Sequence, residues 1–381
     1  MSPLNARFGL LLGLAACAPP EVDALFTTLS LDAVDDGAAA SDTLATVADE
    51  AVDELRIAVP ALEDDDLTDA ILAAHERGVD VQVVTDVDRS LDAGVLALQA
   101  AEVPLTLADG EVAYHDYAID SEVYWPSGSV TMAHSFAVAD QTNVALATRA
   151  GDSADGTRAV MRLSSQDIGQ DLLAEFGQVF GGTDASSLTA FNSLAKSITD
   201  TRWIYPTQTD LDAQVWFGPQ ERLVKRITDA VYSARASVWV LSGDLADEGL
   251  TRALQDKASN DFDVRVVVGG RFGRNAPAIS DTFATQSPDV LKSIVLDADV
   301  VPTIVLVDYA LDRNGDRAMA QAFVLSHDLV SASRLYYSTT IPTDQLIDGT
   351  LVVLQDYDEP SEALLTLLEV VQDHRDRAEA L

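Results

Sequence analysis

Lysine, cysteine and long apolar runs are all scarce in this sequence of 381 residues. Only four lysines occur, and 62 acidic residues against 24 lysines and arginines give a formal net charge of -38. So large a negative charge excludes partners held mainly through phosphate contacts, such as nucleic acids and anionic bilayers. The single cysteine excludes a disulfide within the chain. Because the acidic residues are spread along the chain, we expect a solvated surface or a surface that binds cations or basic partners.

The one apolar stretch near the start is too short to cross a membrane. It runs from Phe8 to Ala16 behind the charged Arg7, whereas a helix needs about twenty apolar residues to span the hydrocarbon core. This layout is typical of an export signal. The residues that end it, Leu14 to Cys17, resemble the lipobox of bacterial lipoproteins, in which the cysteine carries the lipid.

The lipobox resemblance implies a signal peptide over residues 1–16, a lipidated Cys17 and a short anchor linker over residues 17–23. It also implies a bacterial envelope protein held on a membrane by acyl chains. Ala18 is not the aspartate that favours inner-membrane retention in that family, so the outer membrane is favoured where there are two. The alternative is a small buried cysteine in an ordinary helix.

The length favours two domains or one duplicated domain, and the apolar fraction of 48% is ample for a core. Helix and strand signals alternate, which predicts an α/β fold. Leu67–Val84 aligns without a gap on Leu250–Val267, with Thr68 matching Thr251 and Asp80 matching Asp263. Such identities indicate an internal duplication. We predict one repeat over residues 24–185, a linker over 186–209, a second repeat over 210–360 and a C-terminal acidic helix over 361–381.

Three segments resemble sequence segments of the phospholipase D superfamily: His75–Asp86, Val215–Pro219 and Met132–Asp140. The resemblance covers about residues 24 to 360. It implies two phospholipase D-like α/β repeats packed as a pseudo-twofold dimer within one chain. Each repeat of that family carries His-x-Lys-x₄-Asp, in which one histidine attacks phosphorus, the other protonates the leaving oxygen, and the lysines hold the phosphoryl oxygens.

The histidine and lysine positions of both motifs hold other residues here, while both aspartates remain. The motif positions are Ala133, Ser135 and Asp140 in the first repeat and Val301, Thr303 and Asp308 in the second. His134 lies one residue out of register, so strand alternation predicts that it points away from the site unless a bulge intervenes.

We therefore expect a catalytically inactive binding or scaffold protein. Its unknown small-molecule or protein ligand would lie in the inter-repeat cleft near Asp140 and Asp308. Two unpaired aspartates there would repel an anion. The alternative is an active phosphodiesterase that uses His134 or His327 in a rearranged site.

Three other polar clusters and two separate histidines are further candidates for function. Ser326, His327 and Asp328 follow a predicted strand and are interpreted as a turn, a ligand site or a hydrolase triad. Tyr114–Tyr117 is either a polar loop or a pocket wall. Asp312–Asp316 resembles a calcium loop but lacks the glutamate at its twelfth position, and Asn-Gly also favours a tight turn. His75 and His374 are interpreted as surface residues. No Gly-rich phosphate loop or zinc-ligand spacing is visible, so no cofactor or metal is expected.

Overall fold

The computed structural model describes the chain after residue 21 with several gaps. The described residues are 22–23, 28–108, 114–116, 121–123, 130–152, 155–180, 203–206, 211–218, 221–245, 247–260, 262–268, 291–293, 301–310, 319–329, 346–356 and 361–380. Cys17 and the Asp312–Asp316 loop lie outside them, so the predictions on lipidation and calcium stay predictions.

The first half of the chain builds a mixed sheet of seven strands. The described strands of the first half are β1 (Val22–Asp23), β2 (Thr28–Asp36), β3 (Glu54–Ala58), β4 (Asp80–Asp86), β5 (Leu105–Ala108), β6 (Tyr114–Asp116), β7 (Ser121–Val123), β8 (Val130–Met132), β9 (Phe136–Ala139), β10 (Asn143–Ala147) and β11 (Asp155–Ser164). Strands β1, β6, β7 and β8 lie outside the seven-stranded sheet, in two-stranded sheets. The sheet order is β2-β11-β10-β9-β3-β4-β5, with β3, β4 and β5 parallel to one another. The helices are α1 (Gly37–Glu50), α2 (Asp65–Glu76), α3 (Ala93–Ala100) and α4 (Gln166–Phe180).

The second half repeats this architecture strand by strand. Its described strands are β12 (Tyr205–Pro206), β13 (Leu211–Phe217), β14 (Ser237–Ser242), β15 (Asp263–Val268), β16 (Leu291–Ser293), β17 (Thr303–Val307), β18 (Ala320–Leu325), β19 (Leu346–Asp348) and β20 (Thr350–Asp356). The helices are α5 (Leu223–Ser233), α6 (Glu248–Ser259) and α7 (Glu362–Ala380). The order β13-β20-β18-β17-β14-β15-β16 reproduces that of the first sheet, which confirms the predicted α/β fold with two repeats.

The residues shared by the two repeats make the same local bonds. At the start of α2, the side chain of Asp64 accepts a hydrogen bond from the backbone N–H of Leu67, and the Thr68 hydroxyl donates to the Asp64 carbonyl at 2.8 Å. At the start of α6, Asp247 caps the helix in the same way and the Thr251 hydroxyl donates to the Asp247 carbonyl at 2.7 Å. An N-cap aspartate satisfies a backbone N–H that lacks a helical partner, so both positions fix the start of a helix.

The two sheets face each other across a central core that contains α4 and α7. One outer core packs α1, α2 and α3 against the first sheet, and another packs α5 and α6 against the second. The central core combines apolar side chains of both sheets with those of α4 and α7. Helix α4 contacts β13 of the second half and α7 contacts β2 of the first, a reciprocal arrangement typical of a pseudo-twofold pair.

Helix α7 corrects the interpretation of His374. The side chain is buried, at 3% exposure, and its Nδ1 lies 2.9 Å from the carbonyl oxygen of Val370. Residues four positions apart share a helix face, and Val370 belongs to the central core, so His374 faces inward despite its charged sequence neighbours. None of the described helices combines the length and the apolarity that crossing a bilayer requires.

Candidate functional site

The two ends of each motif strand lie at opposite edges of its sheet. Strand β9 runs antiparallel to β3, so Ser135, just before β9, lies by the carboxyl end of β3, and Asp140 lies by its start. The same relation between β17 and β14 separates Thr303 from Asp308. We call the ends that carry Ser135 and Thr303 the motif edge and those that carry Asp140 and Asp308 the aspartate edge. Ligands in open α/β sheets bind outside the carboxyl ends of the parallel strands, which here is the motif edge.

The Asp140 carboxylate accepts several backbone hydrogen bonds at the aspartate edge of the first half. Asp140 has a left-handed φ of 49°, and its carboxylate accepts the backbone N–H groups of Val52, Asp53 and Glu54 at 3.0, 2.8 and 3.0 Å. Burial alone would raise the pKa of Asp140, but the three backbone donors outweigh it and hold the pKa below its usual value.

Asp308 does the same in the second half. Its φ is 62°, and its carboxylate accepts the N–H groups of Arg235, Ala236 and Ser237 at 2.8, 2.7 and 3.4 Å. Both aspartates are therefore fully engaged with the loop that leads into the neighbouring strand. The expectation that they stand unpaired in an inter-repeat cleft is wrong, because the strand carries them to the edge opposite the motif positions.

His134 lies in the interface between the halves. Its ring is fully buried beside the rings of Phe136 and Phe217, with centroids 5.7 and 6.3 Å away. Its Nδ1 lies 2.8 Å from the Thr350 hydroxyl, and its Nε2 lies 3.2 Å from a carboxylate oxygen of Glu175. Phe217 and Thr350 belong to the second half, so His134 joins the two repeats.

The predicted orientation of His134, away from the site, is therefore wrong. His134 precedes β9 and shares its face with Phe136 and Val138, and both of these belong to the central core. Strand alternation places such residues on one side of the sheet. That side packs against the second half.

The contacts of His134 extend into a chain of five residues that crosses the interface, which we call the inter-half network. Gln178 donates to Glu175 at 2.9 Å, and Glu175 faces His134. On the other side, Thr350 faces His134, and its backbone N–H donates to the Ser326 hydroxyl at 2.9 Å. All five residues are buried. Three come from the first half and two from the second, so the network holds the motif edges of the halves together.

Ser326, His327 and Asp328 do not form a hydrolase triad. Nδ1 of His327 lies 2.7 Å from the backbone oxygen of Asp328, while the Asp328 carboxylate accepts the N–H of Gly243 at 3.0 Å. The Ser326 hydroxyl is an acceptor for Thr350. Hydroxyl, imidazole and carboxylate are each used in separate structural bonds, so the triad interpretation is wrong.

Burial shifts the pKa of both titratable groups of this segment toward their uncharged forms. Burial lowers the pKa of His327 to about 4, and the nearby His134 adds to the effect. Burial raises the pKa of Asp328 to about 6, with Asp244 adding to the effect and Arg149 opposing it. His327 is thus an uncharged imidazole at neutral pH and holds no phosphate by charge.

Ser135 and Thr303, at the lysine positions of the motifs, serve the fold. The Ser135 hydroxyl accepts the backbone N–H of Ala150 at 2.7 Å. The Thr303 hydroxyl lies 3.2 Å from that of Ser242. Both pairs are buried, so neither hydroxyl is presented to a ligand.

The remaining motif positions offer neither a nucleophile nor a cation. Ala133 and Val301 are buried aliphatic side chains. Of the lysines, Lys225 lies on the solvent face of α5, and Lys257 donates to the carbonyl of Ala234 beside the aspartate edge. Within the described ranges, no group of three or more histidine, cysteine, aspartate or glutamate side chains is placed to hold a metal.

A cavity between the described parts of the motif edges is very small. It has a volume of about 20 Å³ and is lined by residues of both halves, including Ser135, Ser326 and Thr350. That volume admits one water molecule and no organic ligand.

Glu175, Gln178 and Thr350 were not among the residues predicted from the sequence. A signal for Glu175 was present, since it lies among Leu172, Phe176 and Val179 on the apolar face of α4. A carboxylate in such a position requires a buried partner. Nothing in the sequence indicated that the partner would be His134.

The hypothesis that the segment Tyr114–Tyr117 lines a pocket stays a prediction. Tyr114–Asp116 forms strand β6, which pairs with β7 in a separate two-stranded sheet. Its side chains and Tyr117 lie outside the described residues.

Comparisons with known proteins agree with this fold. Residues 44–146 match the family model described as cardiolipin synthase, PLD-like domain. Phosphatidylserine synthase from Haemophilus influenzae Rd KW20 has a TM-score of 0.60 at 12% identity, with 93% of this chain and 88% of that chain covered. Polyphosphate kinase from Porphyromonas gingivalis has a TM-score of 0.55 at 11% identity, with 91% of this chain and 50% of that chain covered. A comparison with curated protein sequences gives no match. Together the family match and the shared fold confirm the resemblance stated from the sequence.

Proposed function

Because residues 44–146 match a PLD-like domain and the chain shares its fold with phosphatidylserine synthase, we propose that it is a catalytically inactive member of the phospholipase D superfamily, held on a bacterial envelope membrane by a lipid on Cys17 and acting as a binding or scaffold module. The proposal combines a retained fold with the loss of the residues that perform the family's chemistry.

The inter-half network is the observation that supports the loss of catalysis. A phosphohistidine forms only if an imidazole nitrogen is free to approach phosphorus. Both nitrogens of His134 face side-chain oxygens, and the adjoining cavity of about 20 Å³ has room for one water molecule only. Removing a catalytic nucleophile lowers kcat by about a millionfold in well-studied enzymes. Here the second histidine and both lysines are replaced as well.

A hydrolysis assay tests this proposal. The purified chain is assayed on phosphatidylcholine vesicles and on a chromogenic phosphodiester, beside the variants His134→Gln and His75→Gln. We expect no turnover above buffer for any of the three. Turnover that His134→Gln abolishes and His75→Gln preserves would overturn the proposal.

One observation favours a second candidate, an active phosphodiesterase with a rearranged site. His134 and His327 come from different halves and lie close enough that the first lowers the pKa of the second. A two-histidine reaction would need both imidazoles, so His134→Gln and His327→Gln would each abolish turnover. A serine-directed fluorophosphonate probe, with Ser326→Ala as control, checks independently that Ser326 is not a nucleophile, and we expect no labelling.

The lipid anchor is tested separately. Cells that express the full chain are fed a labelled fatty acid, and the label and membrane fraction are compared with those of Cys17→Ser. We expect the wild-type chain to carry label and the variant to carry none. Incorporation of label by Cys17→Ser would contradict the anchor.

A further inference from the structure

Helix α3 exposes apolar side chains and carries no charge. It contains no acidic or basic residue over its eight positions. Leu96 is 49% exposed, and Leu91, just before the helix, is 84% exposed. These two residues and the exposed or partly buried alanines at helical spacing around Leu96 form what we call the apolar row: Leu91, Ala93, Leu96, Ala97 and Ala100. Apolar side chains three and four positions apart offer one helix face to another helix.

Helix α2 borders the apolar row with acidic side chains. A Cβ at Gly94 of α3 would lie 2.4 Å from the Thr68 hydroxyl oxygen of α2, so the two helices are in direct contact here. Leu72 lies one turn after Thr68 and is partly buried. The exposed acidic side chains on the helix face of Leu72 form what we call the acidic row: Asp65, Asp69 and Glu76. An acidic row and an apolar row therefore lie side by side on the outside of the first half.

The acidic row is not neutralised by cations of its own chain. Within the described ranges, no lysine or arginine forms an ion pair with its three carboxylates. Arg77, which follows α2, donates instead to the carbonyl of Ala48 in α1 at 2.9 Å. Burial raises the pKa of Asp64, the N–H of Leu67 opposes this rise, and nearby carboxylates, first that of Asp66, add to it. The carboxylates around α2 thus repel one another, and a cationic partner would relieve this repulsion.

The second half does not repeat this surface. In the gap-free alignment of the repeats, Arg252 of α6 takes the place of Asp69, and Gln255 takes the place of Leu72. Helix α6 also carries Lys257. Both helices keep the same aspartate cap, so the duplicated fold requires the cap and does not require the acidic row.

On these grounds, and resting on the binding role of the proposed function, we infer that α2 and α3 dock a cationic amphipathic helix of a partner protein. The apolar side chains of that helix pack on the apolar row, and its lysines and arginines face the acidic row. Helix α3 is about 12 Å long, which matches about two turns of a partner helix.

Two other occupants fit the surface less well. A second copy of this chain would bring two acidic rows together, and like charges at an interface oppose association. Helices that lie in a membrane interface carry lysine and arginine on their polar face, whereas the face beside the apolar row is acidic.

The probe is a synthetic amphipathic helix of leucine and lysine, and a helix of leucine and glutamate is its matched control. Binding of each labelled probe to the purified full chain is measured by fluorescence anisotropy. We expect the lysine probe to bind with an affinity that falls as salt is added, and the glutamate probe not to bind. Failure of the lysine probe to bind would overturn the inference.

Exchange of one leucine locates the binding, because a chain with a net charge of -38 attracts any cationic peptide. Leu96→Gln should weaken binding of the lysine probe by about fivefold. The matched control is Leu365→Gln, which changes a leucine of α7 that is 44% exposed and should leave the affinity unchanged. Equal affinities of the two variants would rule out the apolar row as the docking surface.

Exchange of two carboxylates tests the acidic row. Asp65→Asn combined with Asp69→Asn should weaken binding by about threefold at low salt and make it less dependent on salt. Glu369→Gln combined with Asp373→Asn removes two exposed charges that are likewise four positions apart, but from α7. An equal loss in both double variants would assign the attraction to the whole chain and overturn the acidic row.

The other occupants are tested on the chain with Cys17→Ser, so that no lipid anchor contributes. We expect it to sediment as a monomer and not to float with phosphatidylcholine vesicles. Self-association or vesicle binding that Leu96→Gln abolishes would overturn the cationic partner in favour of a second copy or a lipid surface. Catalytic inactivity is tested by hydrolysis and the anchor by fatty-acid labelling, so failure of the docking inference is distinguishable from failure of the proposed function.

Discussion

The aspartate edge and the motif edge have diverged to different degrees between the two halves. At the aspartate edge the halves match, since Asp140 and Asp308 both have positive φ and both accept three consecutive backbone N–H groups. At the motif edge they differ, because the first half supplies His134 and Glu175 and the second supplies Thr350. The bonds that build a repeat are retained, and the positions that serve chemistry are free to change. A motif aspartate is therefore no evidence of activity.

The largest expected effect is loss of the inter-half network. His134→Ala removes a fully buried ring and leaves the buried Glu175 carboxylate and Thr350 hydroxyl without this partner. Breaking a buried polar pair and opening a cavity together should lower the free energy of unfolding by about 4 kcal/mol. Urea denaturation measures this, with the partly exposed His75→Ala as the control that we expect to be near neutral.

A double-mutant cycle sharpens this result. Combining His134→Ala with Glu175→Leu should destabilise the chain by less than the sum of the two single changes, because each single change already removes the contact between the two groups. Additive effects would mean that the histidine and the carboxylate do not interact.

The aspartate edge should respond equally in the two halves. Asp140→Ala and Asp308→Ala each leave three backbone N–H groups without their acceptor, which should lower the free energy of unfolding by about 3 kcal/mol in each case. Urea denaturation of the two variants and the wild type measures the loss in free energy of unfolding. A large loss in one half and none in the other would refute the structural equivalence of the two motif aspartates.

The repeat and the fold could be predicted from the sequence because their signals are local. The match of Thr68 with Thr251 reflects helix caps made within four residues, and such bonds survive divergence. The network could not be predicted, because its contacts join residues as far apart as His134 and Thr350. Strand alternation assigns His134 to one of the two faces of its sheet. Which of those faces meets the other half depends on contacts that are distant in the sequence.

Opposite dependence on pH should distinguish the two edges. The pKa of Asp328, near the motif edge, is raised to about 6, so the folded state binds its proton more tightly than the unfolded state does. Protonated Asp328 therefore stabilises the folded state in acid. As pH rises from about 4 to about 6, loss of this proton should lower the free energy of unfolding by on the order of 2 kcal/mol. The pKa of Asp140 is lowered, so its contribution is present above about pH 4 and lost as pH falls below that value.

Asp328→Asn and Asp140→Asn separate these two contributions. Asn retains an oxygen that can accept the Gly243 N–H, so Asp328→Asn should be more stable than the wild type at pH 7 and equal to it near pH 4. Asp140→Asn should be less stable at pH 7, with the difference shrinking in acid. Thermal or urea unfolding at several pH values provides the measurement, and parallel pH profiles for the two variants would contradict the opposed shifts.

The smallest effect concerns the packing of the motif edge around His327. A Cβ at Gly349 would lie 2.3 Å from Cδ2 of His327 and 3.0 Å from the Ser326 hydroxyl oxygen, so Gly349→Ala forces the ring to move. Such overpacking should lower the free energy of unfolding by about 1.5 kcal/mol. Gly177 in α4 has open space where a Cβ would stand, and Gly177→Ala should instead raise stability by about 0.5 kcal/mol. If Gly349→Ala were as harmless as Gly177→Ala, the motif edge would be looser than these contacts imply, and a ligand could enter between the halves.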